Sequence, residues 1–360
     1  MTQAEIFLQS LKNHYVMAPI TCQMSLYNGE ITEDECAFYK SRVKDVGLVI
    51  SGSAYVSEKG KGFEGELGVH CDEMIFGLKK LAEAMKSGGA KAILQIFHSG
   101  NRGNSKILRG QKAKAPSPVA ALPLEKEVPE ELTTLEILQI VEDFKAATKR
   151  AIQAGFDGVE IHGANGFLLQ QFFSPYFNLR KDEWGGTPEK RLRFIQQVVE
   201  GVFAVVAKEK PDFIVGYRFS PEELLTPGLR LADTKLLLQT LKKFPFSYLH
   251  VSLKNYRQTP QDNPRETILA TIAEEVAESI PLIGCGHVWQ LSDLKRIEKN
   301  CQLVAVGQGL IFDPDFFFKI THHKEKEIRQ SLWLEEARRL GISTGIWEDL
   351  KHRCPEKLRV

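Results

Sequence analysis

His162 and Asn165 stand three residues apart, where the apolar run GVEIH at 158–162 gives way to a long connection containing glycine and asparagine. Just past a strand, an imidazole and a carboxamide at that spacing can both turn toward one point. Ligands of parallel α/β proteins lie beyond the carboxyl ends of strands, so a substrate would meet this pair there. The alternative is a buried histidine satisfied by its own protein, with glycines that only turn the chain. Other runs end in similar company. Ala18, Pro19, Ile20 and Thr21 close the first, Gly52 the second, and Gln95 and His98 the third. Arg218 closes the fifth, and Gly286 and Gly307 close the last two. Such a rim gathers an arginine, hydrogen-bonding side chains and glycines that let backbone approach a ligand. It suits a large planar molecule carrying a phosphate.

Eight short apolar runs must position these residues: 15–21, 47–53, 92–97, 158–162, 213–220, 248–252, 281–286 and 303–309. They are continuous rather than alternating, as strands covered on both faces are. Helical patterns separate most of them. In the clearest, Ile137, Ile140, Val141, Phe144, Ala147 and Ala151 form one stripe. Thr133 with Glu136 makes a capping box before it, and Gly155 suits its end. Eight strand–helix units predict a single (β/α)8 TIM barrel, with a core over about 10–320 in one domain of 1–360. A doubly wound sheet in two domains is the structural alternative, but no shift in composition marks a linker. The stretch from Ser99 to about Glu131 carries Pro116, Pro118, Pro123 and Pro129, which predicts an irregular loop. Residues from about 322 to 360 are highly charged and helical in pattern, a C-terminal extension that leaves room for a homo-oligomer contact.

The totals exclude other classes. A net charge of +1 with interspersed signs offers no footprint for nucleic acid or an anionic membrane. No run is long and apolar enough to span a bilayer, and the amino terminus lacks a signal-peptide pattern. Six scattered cysteines have no metal-ligand spacing, which fits a reduced cytoplasm. The GxG at 284–286 lacks the third glycine of a dinucleotide fingerprint.

Several segments together resemble the Old Yellow Enzyme family of FMN-dependent NAD(P)H oxidoreductases. They are MAPIT at 17–21, LQIFHSG at 94–100, AGFDGVEIHGANGFLLQQFFSP at 154–175, NLRKDEWGG at 178–186, GYRFSP at 216–221 and VAVGQGLIFDPDF at 304–316. The resemblance implies bound FMN, a nicotinamide nucleotide as hydride donor, and a small-molecule electron acceptor. Backbone at Ala18, Pro19 and Ile20 would line the flavin, and the Thr21 hydroxyl would bond near its O4. Gly52 would let backbone approach, Gln95 would bond the pyrimidine edge, and Arg218 would stand where negative charge gathers on reduction. Gly286 and Gly307 would help cradle the phosphate. His162 and Asn165 would polarise an α,β-unsaturated carbonyl, a nitro compound or a quinone.

Two positions depart from the family. Phe167 stands where a tyrosine usually delivers a proton, and Gln308 stands where an arginine usually meets the phosphate. The first leaves open a flavoprotein that acts chiefly as an NAD(P)H oxidase or quinone reductase, with Tyr27 or Tyr256 as substitute hydroxyls. The second predicts weakened FMN retention unless His287 compensates. Arg102, Lys106, Arg109, Lys112 and Lys114 follow His98, as a solvated basic loop or a landing site for nucleotide phosphates.

Overall fold

The structure is a computed structural model describing residues 3–121, 127–262, 264–276 and 279–359. Pro123 of the proline-bearing loop lies outside the described residues. Eight parallel strands close a barrel: β1 Tyr15–Met17, β2 Leu48–Tyr55, β3 Lys91–Phe97, β4 Gly158–Gly163, β5 Ile214–Phe219, β6 Tyr248–Val251, β7 Leu282–Cys285 and β8 Leu303–Val306. β1 pairs with both β2 and β8, which completes the ring. The sequence runs fall on these strands one for one, because a strand packed on both faces has no polar side to show. The predicted helix after the third run spans Thr134–Gln153 with its capping box in place. Gly155 takes the left-handed φ of +81° that ends it.

Alternation along the strands layers the barrel interior. Val16, Leu48, Ile50, Ile93, Ile214, Tyr248, Ile283 and Leu303 form an apolar floor, which Phe7 and Leu11 near the N-terminal helix plug from below. One step up the strands come Gln95, Glu160 and His250, all buried polar residues. His162 and Arg218 pair in register toward the carboxyl ends, and Arg218 pairs in turn with His250. The polar groups thus lie between a sealed apolar floor and an open mouth.

The loop after β3 is irregular, as expected. It opens with a 3-10 turn at Gly100–Arg102, and Lys114–Ala115 pairs with Glu130–Glu131 as two short strands. The C-terminal extension forms helices Leu334–Arg339 and Thr344–Arg353 and docks on this chain's own barrel. Ile346, Trp347 and Leu350 are buried there. Arg42, 1% exposed, donates to Leu310 O at 3.1 Å and to Leu340 O at 2.9 Å, while Ser343 Oγ donates to Cys22 O at 2.6 Å. No described helix is long and apolar enough to cross a membrane.

Candidate active site

The turn after β4 fixes the orientation of His162 and Asn165. Nδ1 of His162 accepts the Ala164 N–H at 3.3 Å, which leaves the ring proton on Nε2. Burial, with help from Arg218 and His250, pushes this imidazole's pKa well below the ordinary histidine value. It is a neutral donor. Asn165 adopts φ +59°, a left-handed conformation that asparagine tolerates. Its N–H donates to Ser220 Oγ at 2.9 Å, and its Oδ1 accepts from Ser252 Oγ at 2.8 Å. With the carbonyl oxygen occupied, the Nδ2 hydrogens are what the exposed side chain offers a ligand. Phe167 packs edge-on to both His162 and Phe97, with ring centroids 5.0 Å apart in each pair.

Arg218 is half-buried, and its Nε is sealed from solvent without a hydrogen-bond partner. Among the described residues it forms no ion pair, so a structural salt bridge does not explain it. The adjacent carboxylate belongs to other groups. Glu160, fully buried, accepts from Gln95 Nε2 at 2.6 Å and lies 2.9 Å from His250 Nδ1. Burial alone would raise Glu160, but His250 and Arg218 hold it below the ordinary carboxylate value. Burial would likewise lower His250, and Glu160 reverses that to raise it. Beside them Cys285, whose thiol burial would raise, is lowered to about 7 chiefly by His250. The bond to Glu160 also redefines Gln95, since the atom left for a ligand is its carbonyl oxygen. Sequence reasoning missed this ion pair. Glu160 is two residues before His162 in one strand, hence on the same face, and that signal was available.

The opposite side of the mouth belongs to β1, β2 and β8. Ala18 N donates to Val306 O at 3.0 Å. A Cβ on Gly52 would sit 2.6 Å from Ile20 O, so only glycine lets these segments close. A Cβ on Gly307 would touch only Ala18 Cβ, at 3.6 Å, which leaves open space above it. Thr21 Oγ1 lies 3.5 Å from Ser53 Oγ, and Ser53 donates to the buried Glu66 at 2.8 Å. Gly286, at φ +116°, packs against the backbone of Leu253, Asn255 and Tyr256. Gln308 turns away toward the C-terminal extension, where its amide meets Cys354 Sγ at 3.7 Å. His287 is exposed.

A match to the NADH:flavin oxidoreductase / NADH oxidase family model covers residues 5–327. The chain belongs to that family. It is an NAD(P)H-dependent flavin oxidoreductase of Old Yellow Enzyme type, using FMN and a nicotinamide hydride donor. It is 39% identical to the probable NADH-dependent flavin oxidoreductase YqiG of Bacillus subtilis, over 94% of this chain and 92% of that one. It is 40% identical to NADH:acrylate oxidoreductase of Vibrio harveyi, over 96% of this chain but only 35% of that protein's length. The solved structure of morphinone reductase in complex with tetrahydroNAD is similar at TM-score 0.76 and 28% identity, covering 87% of this chain and 88% of that one.

The residues present fit FMN. The unpartnered Arg218 Nε offers a cation, and the open space over Gly307 leaves room for a ligand against its backbone. The substitute hydroxyls fare differently. Tyr256 is buried and its hydroxyl donates to Asp293 Oδ1 at 2.9 Å, so it is committed to the fold. Tyr27 is 65% exposed under Arg109.

Proposed function

We propose that this protein reduces an activated acceptor which His162 and Asn165 hold and polarise, with hydride originating from NAD(P)H. Bound FMN supplies the hydride exchange between donor and acceptor. Ala18, Pro19, Ile20 and Gly52 would line the flavin, Thr21 and Gln95 would bond its edge, Arg218 would meet its charge-bearing side, and Gly286 and Gly307 would hold its phosphate. His162 Nε2–H and Asn165 Nδ2–H donate to the acceptor's carbonyl, nitro or quinone oxygen. Both donors are preorganised, which makes them effective where oxygen gains negative charge. The observation that carries this reading is the pairing of the two partners' other atoms. Ala164 takes His162 Nδ1 and Ser252 takes Asn165 Oδ1, so each side chain has its donor end for a ligand.

Phe167 supports a narrower version, in which quinones and nitro compounds are better acceptors than simple enones. A hydrocarbon ring offers no proton for a carbon centre. Anaerobic titration tests the reading. The purified protein should be yellow, bleach with NADH or NADPH, and recover its colour on adding a quinone. Protein that keeps its colour through excess nucleotide of both kinds contradicts it.

A further inference from the structure

Five cations follow β3, and the structure separates them. Lys114 is paired with Glu130 and Glu136, at 3.2 and 2.9 Å. Arg109 lies over the exposed ring of Tyr27, and Lys106 and Lys112 are exposed. Arg102 alone turns inward. Its guanidinium carbon lies 5.6 Å from the centroid of Phe167, the ring that packs on His162. Its Nε donates to Gly166 O at 3.3 Å, so the turn bearing His162 and Asn165 also aims Arg102. The preceding residue is tied down as well, since Asn101 N donates to Gln171 Oε1 and Asn101 Nδ2 to Val119 O, each at 3.0 Å.

Among the described residues, no carboxylate is within ion-pair distance of Arg102, and burial lowers its pKa with nothing offsetting the loss of solvent. The buried carboxylates Glu160, Glu223 and Glu66 are engaged elsewhere. Glu160 serves His250 and Gln95, and Glu223 accepts from Gln170, Ser174 and Leu229. Glu66 accepts from Ser53 Oγ and from the N–H groups of Gly62 and Phe63. Arg218, in register with His162 on the next strand, is a second cation that forms no ion pair among the described residues.

We propose that Arg102 forms an oxyanion subsite that selects acceptors bearing a carboxylate, namely α,β-unsaturated acids. This deepens the function proposed above and rests on it. A guanidinium presents parallel donors matched to a carboxylate, and Arg102 keeps its terminal nitrogens for that purpose. The chemistry needs such a group. An unsaturated carboxylate is a poor electrophile because hydride addition places a second negative charge on an ion. Bound FMN would supply the hydride that adds to the β carbon, as the C=C π pair moves toward the carboxylate. Water then gives the α carbon a proton, and the saturated acid leaves. Arg102 neutralises the first charge while His162 and Asn165 bond the oxygen that receives the second.

The FMN-loaded protein provides the test, with crotonate and methyl crotonate as acceptors. R102Q should lower kcat/KM for crotonate roughly 10- to 100-fold more than for the neutral ester. R102K should recover part of the difference. Equal losses on both substrates overturn the proposal. So does a raised KM for NADH with crotonate unaffected, which would assign Arg102 to the nucleotide's phosphates. Titrating the oxidised protein with butyrate, the saturated acid, requires no turnover. Weaker binding in R102Q supports the subsite even if NADH fails to bleach the wild type, and unchanged affinity refutes it.

Discussion

At Phe167 the protein has given up a phenol while keeping the aromatic packing. The ring still packs edge-on against Phe97 and His162. F167Y should raise enone reduction by roughly 10²- to 10⁴-fold, since a positioned general acid contributes on that order. Quinone reduction should be unchanged. Parallel rates on cyclohexenone and a quinone check this, and no gain on the enone shows that proton delivery is not what limits it. His162 makes a separate prediction. Its pKa lies well below the ordinary value, so the imidazole stays neutral across the range where histidines usually titrate. The acceptor half-reaction should therefore show no histidine ionisation between about pH 6 and 8. A rate that doubles or halves around an apparent pKa in that window, and loses the inflection in H162Q, contradicts the assignment.

At the scale of elements, the loop after β2 carries a buried carboxyl. Glu66 accepts from Ser53 at 2.8 Å and from the N–H groups of Gly62 and Phe63 at 2.8 and 3.3 Å, yet burial outweighs these and raises it to about 8. Lys61, paired with Glu64, and Tyr55 are the other ionisable groups facing it. The folded protein thus keeps a proton that an unfolded chain sheds near 4.5. Stability from this group is complete below about 4.5 and falls as pH rises toward 8, where the loss levels off. E66Q should flatten that slope in chemical denaturation of the protein at pH 5 and pH 8. An unaltered slope would mean that Glu66 ionises normally. The loop after β8 makes its own prediction. Gln308 gives FMN no charge, so dialysis should strip cofactor, and Q308R should retain more of it. Equal, stoichiometric retention in both proteins would remove the phosphate argument.

Element by element, the sequence disclosed strands better than their contents. Runs such as LVAVGQG announce themselves because both faces of the strand are buried, and Thr133 with Glu136 marks a helix start within four residues. The Glu160–His250 pair is harder to see, because its partners are 90 residues apart and meet only when β4, β5 and β6 align. Arg102 looked like one of five similar cations. Only the fold decides which of them lies over Phe167 and which meet glutamates.

Over the whole molecule, a closed barrel with an apolar floor brings residues from distant segments to one mouth. The C-terminal extension adds to its wall, through Arg42, Ser343 and the buried Trp347, and not as a free arm. The sequence predicted that extension's helices but not where they dock, since the Arg42 and Ser343 contacts that fix the place run to backbone carbonyls that no side-chain pattern reveals. The central claim is that one imidazole and one carboxamide at the mouth activate the acceptor but not the nucleotide. Stopped-flow measurement of both half-reactions in H162A/N165A tests it most directly. The account predicts that NADH still bleaches the flavin while reoxidation by cyclohexenone or a quinone slows by at least roughly 100-fold. Reoxidation at the wild-type rate would contradict it.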